Sequence, residues 1–381
     1  MAALPEDIIT QILYSVPAKS IGRFRCVSKG WLSLLTHPDF IKTHQKTLNK
    51  LHLIFLGIEV AALYSNSFLY HHEPNLRNSD MPLIEFSFVN SFVPTVKIGG
   101  SCNGLVLVGA NKLHLIDTLV LLNPTTKESM ILPEIFDFSY LDAYTLFDVD
   151  HLYGLGYDDS VTGGDFKVVS LTCLQDTFPL RNGGISVDVY SLKTNTWRRL
   201  TDSLDDYLDI HPKRECAFVN GSLHWVATKS TVNGLKPTVI LALSLADEKF
   251  SEVPTPEFVE STKVLSRSYC QLVVLGGKLA FFLETKGEIW LMNEYRIKES
   301  WTKISLHGIR GIPNVRLPCY NKPMVFCHDG KFMVANSDRM MVYDDEKGAF
   351  EETVCVWDPV NFRVIGSYVE SLVSIASCIE Q

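Results

Sequence analysis

Up to about residue 45 the apolar residues of this chain return every three to four positions. Beyond about residue 50 they fall into short alternating runs separated by turn dipeptides. The first pattern predicts helices. Pro5 at a helix start, followed by Glu6 and Asp7, is a favourable opening, because acids suit the positive end of the helix dipole. Ile9, Leu13 and Val16 then form an apolar stripe, with Ile8 and Ile12 beside it, until Pro17 ends the segment. Ser20 is a candidate N-cap for a second helix carrying Ile21, Phe24, Val27, Trp31 and Leu35, with Arg23, Arg25 and Lys29 on its other side. A third short helix begins at Pro38, in HPDFIKTHQ. Helices this short bury little by themselves, so another surface has to complete them.

The second pattern repeats. Five Gly turns precede similar strands: NGLVLV (Gly104), GGDFKVV (Gly164), NGSLHWV (Gly221), GGKLAFF (Gly277) and DGKFMVA (Gly330), at intervals of 60, 57, 56 and 53 residues. A period close to the roughly 50 residues of a kelch blade predicts a propeller of four-stranded sheets. A second series in phase with the first ends in an aromatic: VDVYSLKTNTW (Trp197), LALSLADEKF (Phe250), IWLMNEYRIKESW (Trp301) and VCVWDPVNF (Phe362). These segments predict the outer hairpin of each blade, with VLLNPTTKE in that place in the first, and the aromatics packed between adjacent sheets. LHLIFLG, AALYSNSFLYHH and LIEFSFV supply strands for a sixth blade, and the final VIGSYVESLVSI pairs with them to close the ring. The fold class is therefore mainly β with a small α module: three helices over 1–45, then a kelch-like β-propeller of about six blades over 46–381.

Composition narrows the function. With 46 % hydrophobic and 20 % charged residues the chain has ample apolar surface for a core. No signal peptide is expected, and the most apolar stretch, from Leu51, is broken by Glu59 and too short to span a membrane, so the expected location is cytoplasmic, nuclear or both. Nine cysteines without a CxxC pair suit a reducing compartment and argue against zinc. Residues 1–50 carry seven Lys/Arg and three acids, net +4, which leaves 28 basic and 40 acidic residues, net −12, for the rest. The two parts are expected to face different partners. No aromatic platform or recognition motif accompanies the basic residues, so nucleic acid is not expected.

Three clusters invite a chemical reading and do not hold it. Cys327, His328 and Asp329 are adjacent, but consecutive strand residues point to opposite faces, and Asp329-Gly330 is a turn. His71-His72 lacks further ligands at useful spacing. Gly154-Leu155-Gly156 is half a dinucleotide fingerprint, without the third glycine or a following helix, and reads better as a crowded strand near the propeller axis. No cofactor, metal or catalytic residue is expected.

The first 41 residues from Leu4, LPEDIITQILYSVPAKSIGRFRCVSKGWLSLLTHPDFIKTH, resemble the F-box, by which substrate receptors dock onto a Skp-type adaptor in cullin-based ubiquitin ligases. Leu4-Pro5, Ile12-Leu13, Pro17-x-Lys19-Ser20, RFRCVSK and Trp31 carry the likeness. SCNGLVLV, LLNPTTKESMILP, YGLGYDDSVTGGDFKVV and SYVESLV resemble the F-box-associated domain of plant F-box proteins, particularly the kelch-like group that includes the constitutive-immunity repressor and S-locus receptors. The resemblance implies a non-enzymatic receptor that binds the adaptor, and through it a cullin, with one domain and a target protein with the other. Leu4, Pro5, Ile9 and Leu13 are the expected adaptor contacts. Two alternatives stay open: an adaptor-bound scaffold without ubiquitination, and, from a different class, a propeller hydrolase with acids at the channel mouth.

The target face is expected on the long connections at about 131–152, 200–215, 253–268 and 304–322, since loops on a rigid scaffold are where binding resides. Between Ile131 and Asp159 there are seven acids (Glu134, Asp137, Asp142, Asp148, Asp150, Asp158, Asp159) and no Lys or Arg. Asp202, Asp205, Asp206 and Asp209 repeat the bias one blade later. With Tyr140, Tyr144, Phe147 and Tyr207 embedded among them, they suggest a patch that recruits a basic segment of the target.

Overall fold

The computed structural model of the protein describes residues 4–48, 51–57, 62–67, 84–85, 95–111, 118–135, 149–174, 185–201, 204, 207–210, 216–229, 237–257, 259, 270–283, 287–305, 324–328, 331–335, 340–344, 349–354 and 362–379. Four helices come first: α1 (Glu6–Tyr14), α2 (Ala18–Phe24), α3 (Lys29–Thr36) and α4 (Pro38–Leu48). The expectation of three is corrected because the second helix is divided. Ser28 is extended and accepts a hydrogen bond from the Trp31 N–H at 3.1 Å, so it starts a new helix where the apolar spacing alone suggested continuity. Ser20 lies inside α2, whose first turn follows Pro17.

The described strands form six antiparallel sheets. Sheet 1 joins β1 (Leu51–Gly57), β2 (Ala62–Ser67) and β3 (Ile84–Glu85) to the last strand, β25 (Phe362–Val369), in the order β25-β1-β2-β3. Sheet 2 is β4 (Thr95–Cys102), β5 (Leu105–Asn111), β6 (Thr118–Asn123) and β7 (Glu128–Ile131). Sheet 3 is β8 (Val149–Asp158), β9 (Asp165–Leu174), β10 (Ile185–Ser191) and β11 (Thr196–Arg199). Sheet 4 holds β12 (Tyr207–Ile210), β13 (Ala217–Val219), β14 (Ser222–Lys229), β15 (Thr238–Ser244) and β16 (Phe250–Val253). Here β12 and β13 pair with opposite ends of β14, so together they make one interrupted first strand. Sheet 5 is β17 (Cys270–Leu275), β18 (Lys278–Leu283), β19 (Glu288–Met292) and β20 (Trp301–Ser305). Sheet 6 is β21 (Met324–His328), β22 (Lys331–Ala335), β23 (Met340–Asp344) and β24 (Ala349–Val354).

The first strands β25, β4, β8, β13, β17 and β21 touch one another in cyclic order, so the sheets close a ring. The closing pair is β1 with β25, from Leu51 opposite Val369 to Gly57 opposite Phe362. Closure by strands from both chain ends covers the edges an open array would expose. It also corrects one hairpin. The last outer hairpin is β23–β24, with Asp344 opposite Ala349, and Phe362 instead begins the ring-closing strand.

Side chains bind each sheet to the next. Trp197 on β11 donates through Nε1 to the Pro133 carbonyl (2.8 Å), and Trp301 on β20 donates to the Pro254 carbonyl (3.0 Å). Both acceptors lie just beyond the outer strand of the preceding sheet, so two of the outer aromatics are indeed inter-sheet residues. Phe250 packs against the core shared by sheets 3 and 4. Lys167 on β9 is buried, with its ammonium 2.8 Å from Asp158 and 3.0 Å from Glu248 of sheet 4, so its charge is compensated on two sides. The glycines of Gly154-Leu155-Gly156 are explained by the same close approach: a Cβ at Gly156 would sit 2.5 Å from Leu245 Cδ1 and 2.7 Å from Phe218 Cδ2.

Candidate functional site

One side of α1 is left uncovered. Leu4, Ile8 and Ile12 are 59 %, 46 % and 53 % exposed, and their four-residue spacing places them in one stripe. Pro5 is exposed at its head. Ile9 is half-buried and Leu13 is fully enclosed, both packed with Ala18, Ile21, Leu35 and Phe40 in the core of the helical module. Of the four expected adaptor contacts, Leu4 and Pro5 therefore stand on the surface, while Leu13 faces inward with Ile9. Ile8 and Ile12, which sequence reasoning set beside the stripe, form the outward face. The signal was present in α1 itself, whose apolar residues cover more than one side. Val27 and Leu32 add exposed apolar surface elsewhere on the module.

The helical core includes one residue from the other end of the chain. Leu372, just past β25, is 2 % exposed among the helix side chains, and Arg25 donates through Nη2 to its carbonyl at 3.0 Å and to that of Leu35 at 3.3 Å. Burial lowers the Arg25 pKa, with Glu128 acting in the other direction. His44 on α4 is also buried, its Nε2 2.8 Å from the Val16 carbonyl, and burial lowers its pKa against that bond and against Glu370.

Sheet 2 grips the residues on either side of Leu372. The amide of Asn123, wholly buried, donates to the carbonyls of Ser371 (3.2 Å) and Val373 (2.6 Å). Its Oδ1 accepts the N–H groups of Thr125 and Thr126, which sets the turn between β6 and β7. Glu128 accepts from the Ile375 N–H (2.7 Å) and the Ser374 hydroxyl (3.0 Å). Gly104, in the turn between β4 and β5, has φ +84°, and a Cβ there would lie 2.1 Å from that of Ser371. The segments LLNPTTKE and SYVESLV, far apart in sequence, thus meet in one clamp.

Topology assigns the clamp to one face of the ring. Each first strand ends at the turn that leads into the second strand, and the tail after β25 and the start of β1 lie at that same end. The helices and tail occupy this near face. The connections that run from an outer strand to the next first strand join strand ends at the opposite, far face. Tyr207, at the start of β12, donates its hydroxyl to Glu252 (2.9 Å), which also accepts from Lys229 (2.7 Å). Burial raises the Glu252 pKa, and the Lys229 and Tyr207 bonds outweigh it, so the net shift is downward. Tyr207 is half-buried against the core of sheets 3 and 4.

Other candidates for the target face lie outside the described residues: Tyr140, Tyr144, Phe147, Asp202, Asp205 and Asp206. Asp209 falls in β12, its side chain undescribed. Two of the seven acids change place. Asp158 ends β8 and Asp159 follows it at the near face, and Asp158 is buried on Lys167, Ser160 and its own turn, so neither belongs to a far-face patch.

Among the described residues no three His, Cys, Asp or Glu side chains are grouped as a metal site. Cys327 and His328 are consecutive in β21, and Asp329 and the pair His71-His72 lie outside the described residues. A groove between sheets 3 and 4 is lined by Asp165, Lys167, Lys193, Arg198 and Glu248. Its charged groups are partnered within the fold: Arg198 and Lys167 pair with Glu248, Asp165 accepts from Ser191 and from the Lys193 N–H, and the Lys193 ammonium donates to the Thr162 carbonyl. No described helix is long and apolar enough to cross a membrane.

Comparison with known proteins bears on both parts. Residues 1–43 match the F-box domain, and residues 62–375 match the F-box associated beta propeller domain. F-box protein CPR1 of Arabidopsis thaliana is 28 % identical over 380 residues, covering 91 % of this chain and 83 % of that protein. F-box/kelch-repeat protein At3g23880 of the same plant is 27 % identical, covering 80 % of each, and F-box protein At3g07870 is 26 % identical, covering 92 % and 87 %. An F-box implies binding to a Skp-type adaptor, and both families are in general non-catalytic adaptors. The chain belongs to the F-box proteins that carry an F-box-associated β-propeller domain.

Proposed function

We propose that this chain is the substrate-recognition subunit of a Skp–cullin–F-box ubiquitin ligase, with the helices over 1–45 docking the adaptor and the domain over 46–381 holding the target. Each of the six sheets counts as one blade of a kelch-like propeller. The observation that carries this reading is the uncovered stripe of Leu4, Ile8 and Ile12, which the chain's own fold leaves in solvent. Burying three such partly exposed side chains at an interface is worth about 1 kcal/mol each by the apolar area removed from water. Replacing all three with Ala should therefore weaken adaptor binding by about 100-fold, measured by titration with purified adaptor, and leave melting of the propeller unchanged. Equal affinity in the triple variant would defeat the assignment of this face.

The target is placed on the far face, where the long connections join the strand ends and the helices do not reach. The acids Asp202, Asp205, Asp206 and Asp209, together with Tyr140, Tyr144 and Phe147, belong to those connections or to the strand they enter, and support recruitment of a basic segment. Tyr207 contributes there as a fixed support, since its hydroxyl is held by Glu252.

A further inference from the structure

We infer that the C-terminal tail after β25 is a structural part of the F-box, so that the adaptor-binding helices become ordered only when the ring has closed. The four helices have 9, 7, 8 and 11 residues, all shorter than the roughly 12–15 at which an isolated helix is even marginal in water. Their order must come from packing. The buried apolar set they supply is Leu13, Ala18, Ile21, Leu35 and Phe40, and the sixth buried member is Leu372. Leu372 is held in register from both sides. Arg25 takes its carbonyl toward the helices, while Asn123 fixes the carbonyls of Ser371 and Val373 on sheet 2. Three residues on, Ile375 is buried in the core shared by sheets 2 and 3. One short segment therefore inserts one side chain into the F-box core and another into the propeller.

The tail reaches this position only by way of β25. Val369, the last residue of that strand, pairs with Leu51, the first residue of β1, and α4 ends at Leu48 just before it. Pairing of the two chain ends thus delivers Leu372 to the helices. A chain that has not yet made β25, or has lost it, holds all the residues of its F-box and lacks the side chain that completes their core. The consequence is that adaptor recruitment reports on completion of the target-binding ring, and an incomplete receptor does not engage the ligase.

The adaptor part of this inference rests on the proposed receptor function; the order of the helices does not. The test uses full-length protein carrying Leu372→Ala or Leu372→Met, with hydrogen exchange of backbone amides and adaptor affinity measured side by side. Leu372→Ala should lower protection in α1–α4 at least tenfold, leave β9, β14 and β18 protected, and raise the adaptor Kd at least tenfold. Leu372→Met, of similar volume, should restore both. Unchanged helix protection in Leu372→Ala would overturn the inference. So would equal loss of protection in the sheets, because the tail would then support the whole fold and not the helices. If the wild-type chain fails to bind adaptor, the receptor reading falls, and the exchange data still decide whether the tail orders the helices.

Discussion

Acid should loosen the joint between sheets 4 and 5 through His224. This side chain, on β14, is fully buried. Its Nδ1 lies 3.0 Å from the Ala217 carbonyl, which can only accept, so Nδ1 carries the proton and Nε2 accepts from the Tyr295 hydroxyl at 2.7 Å. Tyr295 belongs to the β19–β20 connection, and the Arg296 guanidinium lies 5.5 Å from its ring centroid. Burial brings the His224 pKa down to about 4; the Ala217 and Ser222 backbone bonds oppose this, and the Arg296 charge adds to it. An unfolded histidine titrates near 6.5. Between these values the unfolded chain binds a proton that the folded chain refuses. The stabilising contribution is therefore complete above about pH 6.5 and is lost as pH falls toward 4, with a slope of at most about 1.4 kcal/mol per pH unit. From pH 7.5 to 4.5 the loss is roughly 2.5 kcal/mol by the same linkage. Urea melts of wild type and His224→Gln over that range isolate it, because His44 and the carboxylates contribute equally to both proteins. The stability difference between the two should shrink by about that amount on acidification. A difference that is constant with pH would show that His224 does not titrate as a buried neutral group.

Asn123→Ala should cost about 3 to 4 kcal/mol in urea melts, since four hydrogen bonds at about 1 kcal/mol each are lost inside the fold. Asn123→Asp keeps the turn acceptor and loses both bonds to the tail, and a cost under about 1 kcal/mol for either variant would contradict the clamp. At the far face, replacing Asp202, Asp205, Asp206 and Asp209 with Asn should slow capture of the target at low salt and matter less at high salt, as screening dictates. Unchanged capture at low salt would leave those acids only a role in solubility.

Much of the architecture was legible because it is periodic. Gly turns near every 55 residues and aromatics in phase with them marked the strand pairs, and the apolar run at the C-terminus marked the closing strand. The errors came where a local signal competed with a periodic one. Ser28 split a helix whose apolar spacing ran through it, because a hydroxyl that accepts the Trp31 N–H outweighs three-to-four periodicity. Phe362 was assigned by its distance from earlier aromatics, although strand closure moves it to the ring's inner layer. The clamp was not legible at all. Asn123 reads as a strand end before proline, and only the fold reveals that its amide faces carbonyls 248 and 250 residues away. Leu13 was expected outward and Ile8 was set beside the stripe, in a helix apolar on several sides, and neighbouring helices chose the opposite side to bury.

In the proposed function the adaptor stripe and the target connections lie on opposite faces, and the ring acts as a spacer. Its longest strands, β8 and β9, have 10 residues each, which at about 3.3 Å per residue separates the faces by about 30 Å. On that reading a receptor positions its target by rigidity, since none of the four described helices reaches the far face. Slack between blades would scatter the target relative to the ubiquitin donor. The charges and aromatics at the joints then acquire a functional reason. Lys167 ties sheet 3 to sheet 4, His224 ties sheet 4 to sheet 5, and Trp197 and Trp301 anchor outer strands to the preceding sheet. The Leu372 tail extends the same logic to the last joint, between ring and helices. There a flexible linker would have sufficed to connect the two parts, and instead the tail buries Leu372 among the helices while Asn123 holds its neighbours on sheet 2.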